Sequence, residues 1–250
     1  MDLVIDVGNF RIKGAFFEGD QVVDLFVTAP TEEALKSALS GKSADHVLIS
    51  TVSEEKALVA CDVLTSSGFS FELLDFSTVK VELDVDEPEA VGHDRIANVY
   101  GALYRFPVND CIVVDLGTAV TFDYVGCEGK YLGGAIYPGL SIGAKALSTY
   151  TSKLPEVSIS KPEVAVAKTT ETHIQSGLYW GLLGAIERIT FEMRAASKNP
   201  SDVKVLATGG LIKELPKLAE DLSELTDLID PHLTLIGIHE ILKEKHGNTD

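Results

Sequence analysis

The chain has 250 residues, room for one large domain or two modest ones, and is 45% hydrophobic and 24% charged, the balance of an ordinary globular protein. Its formal net charge is −17, which argues against nucleic-acid binding, because that needs clustered Lys and Arg to neutralise phosphates. Cys61, Cys111 and Cys127 are scattered without ligand spacing and read as reduced thiols of a cytoplasmic protein. The N-terminus lacks the basic segment and cleavage pattern of a signal peptide. No uncharged stretch reads as a membrane span: the nearest, Tyr131 to Ala144, is short and is interrupted by four glycines and a proline.

In chain order, Leu3 to Asp6 is an apolar strand that turns at Gly8-Asn9 into a second strand, Ile12 to Phe17. Gly19-Asp20 turns into a third, Gln21 to Val27. A helix is predicted over Glu32 to Leu39, with Thr31 as its cap and Gly41 beyond its end. His46 to Val52 reads as a strand. Ser53 to Ser66 reads as a helix capped by Ser53, with Glu54 and Glu55 in its first turn. Phe69 to Leu74 is a further strand, and Val79 to Ala90 is acidic and irregular, broken by Pro88.

A helix over Asp94 to Tyr104 leads into strands at Ile112 to Asp115, Ala119 to Val125 and Tyr131 to Ile136, a second strand-turn-strand opening. Helices near Ser141 to Ser148 and Ile174 to Ser197 flank a loop over Lys153 to Pro162. A strand at Val203 to Ala207 ends in Thr208-Gly209-Gly210, and two terminal helices follow, the last over His232 to Lys245. Strands followed by alternating helix and strand, twice over, predict a duplicated α/β fold with mixed sheets flanked by helices. The expected division is 1–110 and 111–250.

The repeated openings carry the chemistry. Val4-Ile5-Asp6-Val7-Gly8-Asn9 recurs 109 residues later as Val113-Val114-Asp115-Leu116-Gly117-Thr118. Each is an apolar strand ending in a carboxylate, a glycine and a small polar residue. In the first turn, Gly8 lets backbone amides approach a phosphate, Asp6 can hold Mg2+ through water, and Lys13 can meet terminal phosphates as a point charge. A plain hairpin turn with a surface lysine has the same composition; the second copy favours the phosphate reading. In the second turn, Gly117 and Thr118 offer an amide and a hydroxyl beside the Asp115 carboxylate, and Thr121 suits a strand. Thr208-Gly209-Gly210 permits close approach, as does any tight strand-to-helix turn. Two such turns facing a shared cleft would suit a nucleotide triphosphate and its metal.

With those turns in place, the chain resembles the acetate kinase, sugar kinase, Hsp70 and actin superfamily, whose domains are ribonuclease H-like with an ATP cleft between them. Val91-Gly92-His93-Asp94-Arg95 is similar to the Gly-X-Asp-Arg motif of type III pantothenate kinases. Gly133-Gly134-Ala135-Ile136-Tyr137-Pro138-Gly139 matches their Gly-Gly-X-Ile-X-Pro-Gly segment, and Leu154-Pro155 and Thr170 to Gly177 correspond to later positions. The resemblance runs through the whole chain in order. It implies phosphorylation of pantothenate by ATP, the first step of coenzyme A synthesis, by a homodimer using Mg2+ and a monovalent cation, K+ or NH4+. It implies that Asp6, Val7, Gly8, Asn9, Phe10, Arg11, Ile12 and Lys13 carry the ATP phosphates and that Thr118 contacts ATP. Asp115 would hold the monovalent cation. Gly92, His93, Asp94, Arg95 and Thr170 would contact pantothenate, with Asp94 as the base.

The residues themselves allow those last roles. A carboxylate in reach of an alcohol can accept its proton, and an arginine can fork onto a substrate carboxylate. Asp94 also stands where a helix cap belongs. Three positions depart from the family pattern: His93 replaces a small residue, Phe10 replaces a hydroxyl residue, and Val85 stands where a tyrosine precedes the proline at 88. Two other readings stay open here, a sugar-type kinase of the same superfamily and a nucleotide-binding regulatory protein without turnover.

Overall fold

A computed structural model describes residues 1–51, 54–75 and 79–247, and among these the chain divides into two units. The elements are β1 (Asp2–Val7), β2 (Ile12–Glu18), β3 (Gln21–Thr28), α1 (Glu32–Leu39), β4 (His46–Thr51), α2 (Glu54–Ser66), β5 (Glu72–Leu73), β6 (Glu82–Leu83) and α3 (His93–Arg105), followed by β7 (Cys111–Leu116), β8 (Ala119–Val125), β9 (Lys130–Pro138), α4 (Leu140–Tyr150), α5 (Thr170–Arg194), β10 (Lys204–Thr208), α6 (Leu211–Glu214), α7 (Pro216–Leu222), β11 (Leu228–Ile229) and α8 (Leu233–His246). The cap proposed at Ser53 lies outside the described residues. Thr31 does occupy the cap position of α1, with extended backbone, but its side chain makes no capping bond.

The first unit comprises 1–105 and 233–250. Its sheet has the order β3-β2-β1-β4-β5, antiparallel across β3, β2 and β1 and parallel across β1, β4 and β5. Period-two alternation sends Leu3, Ile5, Val7, Val47 and Ile49 to one face, where they pack with Leu35 and Leu39 of α1 and Val63 and Leu64 of α2. Helices α3 and α8 pack on each other and on the opposite face. Their approach depends on glycine: a Cβ on Gly237 would lie 1.7 Å from the Ala97 carbonyl oxygen, and one on Gly101 would lie 2.7 Å from that of Leu233. Thr234 Oγ1 donates to Asn98 Oδ1 at 2.8 Å beside this crossing, so the two buried polar side chains satisfy each other.

The second unit, 106–232, repeats the plan. Read from the hairpin edge its strands run β9-β8-β7-β10-β11, again two antiparallel pairings followed by two parallel ones. Its core joins Ile112, Val114, Phe122 and Val205 to Tyr179, Leu182 and Ile186 of α5. The spacing of the buried residues along α5 is that of one helical stripe. Thr169 and Thr172 form a reciprocal capping box that starts it.

The division differs from the expected one at its C-terminal end. Helix α8 belongs to the first unit, not to a 111–250 domain, because its buried face is complementary to α3 and to β1. His239 shows how: its ring stacks on Phe17 with centroids 3.9 Å apart, and its Nε2 lies 3.2 Å from Asp2 Oδ2. Two further corrections concern short elements. Among the described residues after β10 there are three helices rather than two, and β11 is a strand of two residues, too short to give a period.

Burial pushes the His239 imidazole below its ordinary value, outweighing the bond to Asp2; Lys243 also lowers it and Glu240 raises it. The unfolded chain then takes the proton more readily. Stability is therefore fully present above the ordinary value of about 6.5 and is lost as pH falls below it, by at most ~1.4 kcal/mol per pH unit. Urea midpoints should show wild type losing its advantage over His239→Gln between neutral pH and pH ~5.5. A constant difference would contradict this account.

Candidate active site

The first turn hangs from β1. Asp6, only 7% exposed, is the last inward residue on the α3/α8 face of that strand. Its register partner on β2 is Lys13, whose Nζ lies 3.9 Å from Asp6 Oδ2. Between them the chain reverses tightly: Gly8 N–H donates to the Arg11 carbonyl at 3.0 Å, and a Cβ on Gly8 would crowd that same oxygen at 3.2 Å. Val7 and Ile12 are buried anchors on either side, while Asn9, Phe10 and Arg11 are exposed at the tip. A carboxylate, a lysine and an open turn of amides are thus gathered at one strand end.

Helix α3 begins at His93, one residue earlier than predicted, because Arg95 and Ile96 N–H both donate to the Gly92 carbonyl. Asp94 is consequently a first-turn residue rather than the cap. Its Oδ1 accepts the Arg95 N–H at 2.8 Å, a favourable place for negative charge beside the helix dipole. Gly92 makes the fit possible, since a Cβ there would lie 2.6 Å from Asp94 Oδ1. Gly92, His93, Asp94 and Arg95 are all partly accessible at this helix start.

The second turn is built with more backbone contact. Gly117 N–H donates to the Ala119 carbonyl at 3.1 Å, leaving Gly117 and Thr118 exposed. Two distant glycines press on it. A Cβ at Gly139, the last residue of the Gly-Gly-Ala-Ile-Tyr-Pro-Gly segment, would lie 2.1 Å from the Thr118 carbonyl oxygen. One at Gly209, where φ is +111°, would lie 2.5 Å from both N and O of Leu116. Both glycine motifs therefore fix the backbone that carries Asp115 and Thr118, which explains their composition in physical terms. Thr208 is the register partner of Asp115.

Thr170 is the first residue of α5. It lines a cavity of about 420 Å³ with Leu147, Leu154, His173, Ile174 and Leu178. The adjoining loop is tied down by α5: Ser176 Oγ donates to the Ala165 carbonyl at 2.6 Å, and Gln175 Nε2 to that of Ser158 at 2.9 Å.

The sequence profile of type III pantothenate kinases matches residues 2–192. The chain belongs to the type III pantothenate kinase family. A type III pantothenate kinase of Legionella pneumophila strain Paris is 37% identical, covering 95% of this chain and 96% of the relative. Those of Sphingopyxis alaskensis and Geobacillus kaustophilus are 33% and 32% identical, each covering 98% of both chains. Among solved structures, a Baf family transcriptional activator from Campylobacter jejuni aligns over 98% of both chains with a TM-score of 0.59 at 22% identity. A polyphosphate/ATP-glucomannokinase from Arthrobacter aligns over 96% of this chain and 97% of its own, with a TM-score of 0.50 at 15% identity. These likenesses are of fold, the mixed α/β architecture with two sheets flanked by helices.

Within this type III pantothenate kinase fold the departures are legible. Phe10 stands 70% exposed at the first turn, with Lys56 Nζ 5.7 Å from its ring centroid. Val85 and His93 are partly buried. One feature escaped the sequence reading. Ser50 is the register partner of Asp6, as Thr208 is of Asp115, and both hydroxyls are fully buried without a hydrogen-bond partner among the described residues. Such a group costs about 1–3 kcal/mol. The signal was present as a small hydroxyl residue closing an apolar run, Leu48-Ile49-Ser50 beside Leu206-Ala207-Thr208, but only register joins each to its carboxylate.

Proposed function

We propose that this chain transfers the γ-phosphate of ATP to the primary hydroxyl of pantothenate, the first step of coenzyme A biosynthesis. Membership of the type III pantothenate kinase family, with the profile match running from residue 2 to 192, is the observation that carries the reading. Phosphoryl transfer asks a protein mainly for positioning and charge compensation, and the local geometry offers both.

Asp6 to Lys13 carries the ATP phosphates: the amides at Asn9 and Phe10, in the turn that the Gly8 N–H closes onto the Arg11 carbonyl, meet phosphate oxygens, and Lys13 neutralises the terminal group. Thr118 contacts ATP through its exposed hydroxyl. Gly92, His93, Asp94, Arg95 and Thr170 contact pantothenate, Arg95 through the substrate carboxylate. Asp94 takes the proton of the attacking hydroxyl, its second oxygen being available while Oδ1 accepts the Arg95 N–H.

Asp6 holds Mg2+ through water and Asp115 holds a monovalent cation, K+ or NH4+. The donor set fits hard cations, since each carboxylate stands beside a buried hydroxyl, Ser50 or Thr208, and oxygen is the ligand such ions take. When bound, the cations offset charge on the phosphates. We assign the active form as a cytoplasmic homodimer without nucleic-acid or membrane partners. Among the described residues no helix is long and apolar enough to cross a membrane.

A coupled assay of ADP release tests the reading. Release is expected to require pantothenate, to be absent with sugars, and to be faster in K+ than in Na+. ADP formation that ignores pantothenate would overturn it.

A further inference from the structure

Buried polar side chains in this protein generally find partners inside their own unit. Asn98 bonds Thr234, Asp123 accepts from Tyr131 and Thr121, Ser176 reaches the Ala165 carbonyl, and Thr190 that of Ile186. Ser50 and Thr208 differ: each is 0% exposed and its hydroxyl bonds to nothing among the described residues. A strand hydroxyl cannot fold back onto its own backbone four residues earlier, as Thr190 does in α5, so its partner has to come from elsewhere.

Their placement is duplicated. On β4, Val47 and Ile49 enter the helix-packed core and Ser50 points to the other face; on β1, Ile5 and Val7 enter the core and Asp6 points to the other face. The parallel register sets Ser50 directly beside Asp6. In the second unit, Val205 and Ala207 of β10 and Val114 and Leu116 of β7 enter the core, and Thr208 sits beside Asp115 on the opposite face. Neighbouring strands stand about 4.8 Å apart. That leaves each hydroxyl one strand from its carboxylate, close enough for one ligand oxygen to touch both. Two independent strand ends thus hold the same arrangement, an unbonded buried hydroxyl beside a carboxylate, and chance packing offers no reason for the repetition.

We propose that Ser50 and Thr208 are binding residues of the phosphotransfer site. Each hydroxyl is kept unpaired in the ligand-free protein in order to meet an oxygen of the bound nucleotide phosphates or of a cation-held water. The inference rests on the reading that this chain binds ATP with its cations at Asp6 and Asp115. It adds one neutral hydrogen-bonding group per unit that sits deeper than the turn amides and holds the ligand oxygen against the carboxylate.

The experiment pairs nucleotide-free melting with calorimetric titration of ADP, using Ser50→Ala, Thr208→Val and the conservative Thr208→Ser. Removing an unsatisfied hydroxyl leaves the free protein equally or more stable, so the melting temperatures of Ser50→Ala and Thr208→Val should be unchanged or raised. Affinity for ADP with Mg2+ and K+ should fall about tenfold in each, the loss of one hydrogen bond to a charged ligand shell. Thr208→Ser should bind like wild type. Titration with EDTA in place of Mg2+, and with Na+ in place of K+, separates the two oxygens. A defect that persists marks a phosphate contact, and one that disappears marks a cation-held water. Wild-type affinity in both variants would overturn the proposal, as would a lower melting temperature in the nucleotide-free state, which would make the hydroxyls packing groups. Failure of wild type itself to bind ADP would instead remove the kinase reading.

Discussion

Asp94→Asn is expected to lower turnover with pantothenate by about 10²–10⁴-fold, the usual contribution of a general base, while ADP binding and the melting temperature stay near wild type. The substitution isolates chemistry from structure. Asp94 Oδ1 accepts the Arg95 N–H at 2.8 Å and sits in the space that Gly92 leaves by lacking a Cβ. An asparagine has the same shape, and its carbonyl oxygen can keep that bond. What it loses is the second carboxylate oxygen, able to take a proton from an attacking alcohol. If Asp94 served only to complement the helix dipole, the change would cost under about 1 kcal/mol of stability and leave the rate alone. Single-turnover phosphorylation beside an ADP titration separates the cases. A near-full rate in the variant would sink the assignment of Asp94 as base.

Gly237→Ala is expected to destabilise the protein by about 3 kcal/mol, at or beyond the upper end of ordinary overpacking. The added Cβ would stand 1.7 Å from the Ala97 carbonyl oxygen and also close to Gly101 N, both backbone atoms of α3 that no rotamer change can move aside. The helices must separate, which strips contacts from Leu233 and Ile238, both fully buried, and strains the Thr234–Asn98 bond. Because α3 also carries Asp94 and Arg95 at its start, the damage should reach activity as well as stability. Urea denaturation reads the first and the coupled assay the second. An unchanged midpoint would mean that the α3–α8 crossing is looser than its glycines indicate.

Local features of the fold were legible because they depend on local chemistry. Apolar runs bounded by turn residues gave every long strand, and Ala119–Val125 falls on the predicted span. Turn glycines located the two Asp-containing reversals. Helix α1 begins and ends where its cap position and Gly41 predict, Gly41 having φ of +73°. The short elements followed less well: β5 keeps only two residues of the strand predicted over Phe69 to Leu74, and β6 and β11, also two residues each, owe their existence to neighbours, not to pattern.

The sequence by itself determined the duplicated strand-turn-strand plan, the two carboxylate turns and the ordered motifs that mark a type III pantothenate kinase, because periodicity and turn chemistry act over a few residues. Only the tertiary structure decided that α8 returns to the first unit. It alone set Gly139 and Gly209 against the second turn, and placed Ser50 and Thr208 beside their acids. Those contacts join residues from 21 to more than a hundred positions apart, and strand register and close backbone approach, which create them, have no expression in local sequence.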